Sequence, residues 1–172
     1  MKIRSRLRPF IPVPHVVAVL SWLCLLCLPP ALCQAGEAGT RFSTGDILEM
    51  DRVASAWLIK RYVEPEAEFK FFPEGQLIAE GTAFDTPDAQ LQRTHKLSTF
   101  EVIKHRYQIS DPRLTELTTI VHNVEINFWM TEKEPRASAL AQRINQVIKS
   151  SQDQAARLTQ CFAILDDFIE RR

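Results

Sequence analysis

The stretch Asp51–Phe72, "DRVASAWLIKRYVEPEAEFKFF", decides how the rest of the chain is read. At about 100° per residue, Met50, Val53, Ala54, Trp57 and Leu58 form one broad apolar stripe, and Ala56, Ile59 and Val63 cover much of the remaining surface. A helix apolar on nearly every side is predicted to be buried. Yet this one carries Asp51 and Arg52 at one end and Lys60 and Arg61 at the other. Asp51 is the expected N-cap, because a carboxylate there accepts the orphan amides of the first turn. The helix is expected to stop near Val63, since Glu64 precedes Pro65 and is pushed out of the α region. "EFKFF", 68–72, alternates and is rich in aromatics, which predicts a short strand.

Two explanations fit the charges. Cations at a helix C-terminus are favourable in themselves, so Lys60 and Arg61 need no ligand, and Arg52 needs only a salt bridge. Alternatively Arg52, Lys60 and Arg61 contact an anion. Arg52 and Arg61 are nine residues apart and point to opposite sides, so they cannot share a pocket from this helix alone. Arg61 follows Trp57 by four residues, which predicts a cation–π contact with the indole.

On the N-terminal side, Arg41–Met50 has no decisive period and is compatible with a strand or a first helical turn. Further upstream, Lys2, Arg4, Arg6 and Arg8 precede the apolar run Val16–Leu28, then Pro29, Pro30 and small residues. This layout predicts a secretory signal over residues 1–35, cut after Cys33 or Ala35. The run is shorter than the roughly 20 residues that span a bilayer, so a membrane anchor is the lesser alternative and applies only if the segment is uncleaved. The expected location is exported, periplasmic or extracellular.

The chain has 21 basic and 21 acidic residues; without residues 1–35, 17 basic against 21 acidic leave −4. Mild acidity argues against nucleic acid as a partner. Cys24, Cys27 and Cys33 leave with the signal, so Cys161 has no intramolecular disulfide partner and reads as a small buried hydrophobe. The remaining residues, 36–172, suit one domain.

On the C-terminal side, "GTAFD", 81–85, is the expected partner of the 68–72 strand. Ser98–Glu101 is an S-x-x-E capping box opening a helix with Phe100, Ile103 and Tyr107 on its stripe. Asp111-Pro112 opens another, with Leu114, Leu117, Val121 and Val124 inward. Two longer amphipathic helices over 135–171 carry Leu140, Ile144, Val147 and Ile148, then Leu158, Phe162, Leu165, Phe168 and Ile169; a short link makes them antiparallel. The predicted class is mainly α with a small β element (α+β), a single compact helical domain after an N-terminal signal segment.

Within this frame, His122 and Glu125 lie at i and i+3, a spacing that lets one helix face offer an imidazole and a carboxylate to one divalent ion. Further ligands would come from Glu101, His95 or Asp85. A satisfied interfacial histidine is the plainer reading of the pair. Glu101 also has a capping role, and His105, four residues after it, reads as its exposed ion-pair partner. No Ser-His-Asp arrangement, Cys-x-x-Cys, phosphate-cradling loop or dinucleotide fingerprint occurs.

Four segments carry a family resemblance: "DRVASAWLIKRYVEPEAEF" at 51–69, "FDTPDAQ" at 84–90, "TFE" at 99–101, and "DPRL" leading into "IVHNVE" at 111–125. In order and spacing they resemble the C-terminal domain of ChrB-type chromate resistance proteins, also described as chromate resistance exported protein, over Thr40–Glu125. The resemblance marks Asp51, Trp57, Asp85, Thr99 and Phe100 as motif positions, and implies a mostly helical domain tied to chromate resistance. Two departures stand out. A histidine usual in the family falls on Arg93, with His95 two places along, and a His-Asp-x-Asp pattern reads here as His122-Asn123-Val124-Glu125.

The leading expectation is therefore an exported domain that binds a metal ion or an oxyanion such as chromate. A divalent metal ion is the candidate cofactor. A metal-dependent enzyme acting on reactive oxygen species or an oxyanion, and a non-catalytic helical interaction module, are the alternatives.

Overall fold

The computed structural model describes residues 39–127, 135–150 and 153–171, all within one compact unit, Glu37–Arg172. The expected signal segment, with Cys24, Cys27 and Cys33, lies outside the described residues. The fold is α+β. Three parallel strands, β1 (Arg41–Gly45), β2 (Glu68–Phe72) and β3 (Thr82–Ala83), carry helices α1 (Met50–Leu58), α2 (Thr99–Arg106), α3 (Thr115–Glu125), α4 (Pro135–Ser150) and α5 (Gln154–Glu170). None of the described helices is long and apolar enough to cross a membrane.

The sheet order is β2-β1-β3. The 68–72 strand forms where expected, but "GTAFD" does not pair with it; both strands flank β1, Phe42 lying opposite Phe69 on one side and Thr82 on the other. The ambiguous Arg41–Gly45 segment is thus the central strand, buried from Phe42 onward. Gly81 makes the close approach possible. Its φ of 76° is left-handed, and a Cβ there would stand 2.8 Å from the Arg41 carbonyl oxygen.

Every residue of α1 is buried, as its all-round apolar surface predicts. It packs against α2, α3, α4 and α5. At its end the ladder shifts to a π-helical turn, Ile59–Val63, closed by Glu64 N–H donating to Ile59 O at 2.8 Å. Termination near Val63 therefore holds. The start does not: Glu49 is the N-cap, with no side-chain capping bond, and Asp51 already sits in the first turn facing inward.

The α2 capping box is present in full, and Asp111 caps a 3₁₀ turn, Pro112–Leu114, that leads into α3. Phe100, Ile103, Leu114, Leu117 and Val121 are buried, while Tyr107 and Val124 pack at the edge. Helices α4 and α5 are antiparallel. The start of α4 meets the end of α5 where Arg136 lies over the Phe168 ring, and Arg157 near the start of α5 donates to Ile148 O near the end of α4. Between them Arg143 pairs with Asp167. Cys161 is fully buried, which pushes its thiol up to about 11.

Asp166 ties α5 to α1. It accepts from the Trp57 indole N–H at 2.7 Å and from Arg61 Nε and Nη2 at 3.0 and 2.7 Å. Arg61 therefore shares a partner with Trp57 and lies over the Phe162 ring, 5.9 Å from its centre, not over the indole as expected. Removing the acceptor of a buried indole N–H leaves that donor unsatisfied. Asp166→Ala should lower the unfolding free energy by about 1–3 kcal/mol in urea titration. Arg143→Ala, which removes only an exposed pair, should change it by less than about 0.5 kcal/mol. Equal effects would refute the assigned tie.

Candidate functional site: a polar junction at the start of α2

The first turn of α2 has amides to satisfy, and a neighbouring helix supplies the acceptor. Asp51, fully buried on α1, takes Thr99 N–H on Oδ2 at 2.7 Å and Phe100 N–H on Oδ1 at 2.9 Å. Ser98 Oγ takes Glu101 N–H at 3.3 Å, and Glu101 Oε2 returns the bond to Ser98 N–H at 2.9 Å. The Ser55 hydroxyl also donates to Asp51. Asp51 thus caps α2 rather than its own helix. Burial pushes its carboxyl up to about 7, Asp85 adds to the rise, and the two amides oppose it.

Asp85 is the second anchor. It is buried and left-handed, with φ 50°, a conformation that Asp tolerates better than most residues. Its Oδ1 accepts from Thr99 Oγ1 at 2.7 Å and its Oδ2 from Arg52 Nε at 3.0 Å. Arg52 spends its remaining donors on Asp85 O, Ile47 O and Glu74 Oε2. Gly45 makes room for this pair, since a Cβ there would stand 2.9 Å from Arg52 Nη1. Arg52 is thus ion-paired with Asp85 and Glu74. Of the other expected anion contacts, Lys60 donates to Ala67 O at 3.0 Å and Arg61 is bound by Asp166. The three cations do not share a site.

The carboxylate–imidazole expectation fares differently. Glu101 and His122 meet, with Nδ1 2.9 Å from Oε2. Although burial opposes it, the His122 and Ser98 hydrogen bonds hold the Glu101 carboxyl below its usual range. An ionised carboxylate has no proton to give, so His122 Nδ1 donates the hydrogen of this bond. Glu125 points elsewhere: Oε1 accepts from Asp51 N–H at 3.4 Å and Oε2 from Arg93 Nη1 at 3.0 Å. Burial raises its carboxyl while Arg93 opposes the rise. His95 is exposed and joins none of these contacts, and His105 is exposed while Glu101 pairs with His122 instead. Among the described residues, no three His, Cys, Asp or Glu side chains are placed to share one ion.

Arg93 is the residue that sequence reasoning undervalued. Its Nη1 binds Glu125, its Nη2 binds Glu49 Oε2 at 3.2 Å, and Nη2 stands 3.6 Å from Asp85 Oδ1. Burial pulls its pKa down, but Asp85, Glu125 and Asp51 together hold it above the ordinary value. Arg93 lines a cleft of about 500 Å³ with Glu49, Arg52, Glu74 and Asp85. An acid next to a helix start was a readable signal for Glu49; Glu74, in a loop, offered none.

The raised Asp51 carboxyl fixes a sign. The native chain keeps a proton that the unfolded chain has already released, so stability falls as pH rises from the ordinary carboxylate range to about 7. Between about pH 5 and 8 the loss should be on the order of 2 kcal/mol. Asp51→Asn should remove that slope in denaturant titrations at the two pH values. Parallel curves for variant and wild type would contradict it.

A family model described as "ChrB, C-terminal domain" matches residues 42–171. The match runs past Glu125, where the sequence resemblance ended, and takes in α4 and α5. Comparisons with curated proteins and with solved structures returned no match. With most of its length covered by that family model, the chain belongs to the ChrB C-terminal domain family and is a chromate-resistance-like protein.

Proposed function

We propose that this domain serves chromate resistance by binding a cation, rather than the chromate dianion, at the cleft where Arg93 sits. The observation that carries the reading is the convergence of Glu49, Asp85 and Glu125 on one guanidinium. The charged residues lining the cleft are Glu49, Glu74 and Asp85 against Arg52 and Arg93, a net of −1 before Glu125 is added. At an effective dielectric of about 20, one unit charge about 6 Å from a doubly charged ion is worth roughly 5 kcal/mol. The sign therefore disfavours a dianion. Arg52 is already committed to protein acceptors and cannot reverse it.

Carboxylate oxygens suit hard cations of the Mg²⁺, Ca²⁺ or Mn²⁺ kind, and reduced chromium is itself a hard cation. Glu49, Asp85 and Glu125 would attract the ion by charge; among the described residues no three acids are placed to share it. As arranged, they hold a guanidinium. Export belongs to the same proposal, with residues 1–35 as the signal.

Two measurements test this. Separate calorimetric titrations of wild-type protein should give Mn²⁺ binding that Glu125→Gln weakens, and no heat with chromate. Saturable chromate binding with no response to millimolar Mn²⁺ would overturn the cation reading. Cell fractionation with N-terminal sequencing should place a chain beginning after Cys33 or Ala35 outside the cytoplasm. An uncut cytoplasmic chain would overturn the export reading.

A further inference from the structure

We propose that the outer edge of β2 is the interface of a two-fold dimer, in which β2 pairs antiparallel, about Phe69, with β2 of a second copy of this chain.

The backbone fixes what that edge presents. Glu68 N–H donates to Thr40 O at 2.7 Å, and Phe72 O accepts from Asp46 N–H at 2.8 Å. Both residues therefore turn their peptide groups toward β1, and by the alternation of a strand so does Lys70. The peptide groups of Phe69 and Phe71 point the other way. In the order β2-β1-β3 that is the open side of the sheet, and no strand among the described residues lies beyond it. The edge has one closed end, where Glu64 O accepts Ala67 N–H and Lys60 Nζ donates to Ala67 O. No proline or glycine interrupts "EFKFF", and Phe69 and Phe71 are half-buried. An uninterrupted aromatic edge of this kind is a template for another strand.

Charge selects a second copy as that strand. Glu68 and Lys70 lie on the face opposite to Phe69 and Phe71. A mate centred on Phe69 sets Glu68 across from Lys70 of the second copy, and Lys70 across from its Glu68. Opposite charges directly across a ladder stabilise it, and like charges do the reverse. Centring the pair on Lys70 instead would set lysine against lysine. The strand thus complements itself in one register, as an isologous contact requires. Both side chains are available for it. That of Glu68 is 69% exposed and 3.8 Å from Arg41, and that of Lys70 is 45% exposed and paired with the exposed Glu80. Exposed pairs of this kind are weak, so exchanging partners costs little. At the centre the two Phe69 residues would exchange N–H and C=O bonds, and Phe71 N–H would reach Ala67 O of the other copy. The two sheets would then run on as one, with the β2 strands in the middle.

Sedimentation velocity over a range of concentrations, on the protein isolated from an exporting host, reads the association directly. Wild type should dimerise reversibly. Lys70→Glu, which sets like charges across both pairs, should weaken the dimer about tenfold or more. Combining Glu68→Lys with Lys70→Glu exchanges the charges and should bring the dimer back to within about threefold of wild type. Both positions are exposed, and circular dichroism checks that each variant folds. Hydrogen exchange supplies an independent readout. The Phe69 and Phe71 amides should gain protection as concentration rises, and that of Ala83, on the opposite edge, should not. A chain that stays monomeric to millimolar concentration, a dimer indifferent to Lys70→Glu, or one that the exchanged charges fail to restore would each overturn the proposal.

Discussion

A single carboxylate buried against the first turn of a neighbouring helix organises this domain. Asp51 satisfies the first two amides of α2, where the helix presents partial positive charge, and so fixes the angle and depth at which α2 meets α1. Everything polar nearby follows from that docking. With α2 seated, the Thr99 hydroxyl reaches Asp85, Asp85 holds Arg52 and approaches Arg93, and Glu101 is left facing His122 on α3. The Asp51 backbone amide closes the circle by reaching Glu125. One residue therefore joins α1, α2 and α3 through both its side chain and its main chain.

The arrangement concentrates negative charge. Asp51, Asp85, Glu125 and Glu49 surround a space served by Arg93, while Arg52 is pinned to one side. Burial is the main cause that raises the Asp51 and Glu125 carboxyls, and neighbouring acids add to it. Around Asp166 the balance is opposite: one carboxylate takes an indole and a guanidinium, and its own proton is released more readily than usual because Arg61 binds it. The α1–α5 tie is relaxed, and the junction at α2 is not.

Much of the frame was legible. The capping box at Ser98–Glu101, the Asp111-Pro112 start, the stop near Val63 and the paired C-terminal helices all rest on short-range rules that depend only on neighbouring residues. The failures are long-range or depend on burial. Strand β1 was ambiguous because Ser43 and Thr44 do not mark a core strand, yet they are 0% and 1% exposed between two partners. Asp51 was read as a local cap because spacing cannot show that a carboxylate serves a helix 48 residues away. Arg93 sits in an irregular loop with no period, and only the fold brings Glu49, Asp85 and Glu125 around it.

Stability alone gives little reason to keep such a junction. Buried ion clusters can often be replaced by apolar side chains of similar volume with no loss, or with a gain. Here Asp51 holds a proton up to about pH 7, which means that its ionised form is disfavoured by the fold that contains it. Ser98 and Glu101 already supply part of the α2 cap, so a less charged solution was within reach of the same helix. Apart from Ser55 the rest of α1 is apolar. Of the two charged residues it buries, Arg52 lines the cleft and binds Asp85, while the Asp51 carboxylate caps α2 and its main-chain N–H reaches Glu125. A fold that accepts electrostatic strain at one place, while its remaining charged pairs lie near the surface, concentrates its least stable chemistry there. That asymmetry directs the functional reading to the acids around Arg93 rather than to the cations at the far end of α1.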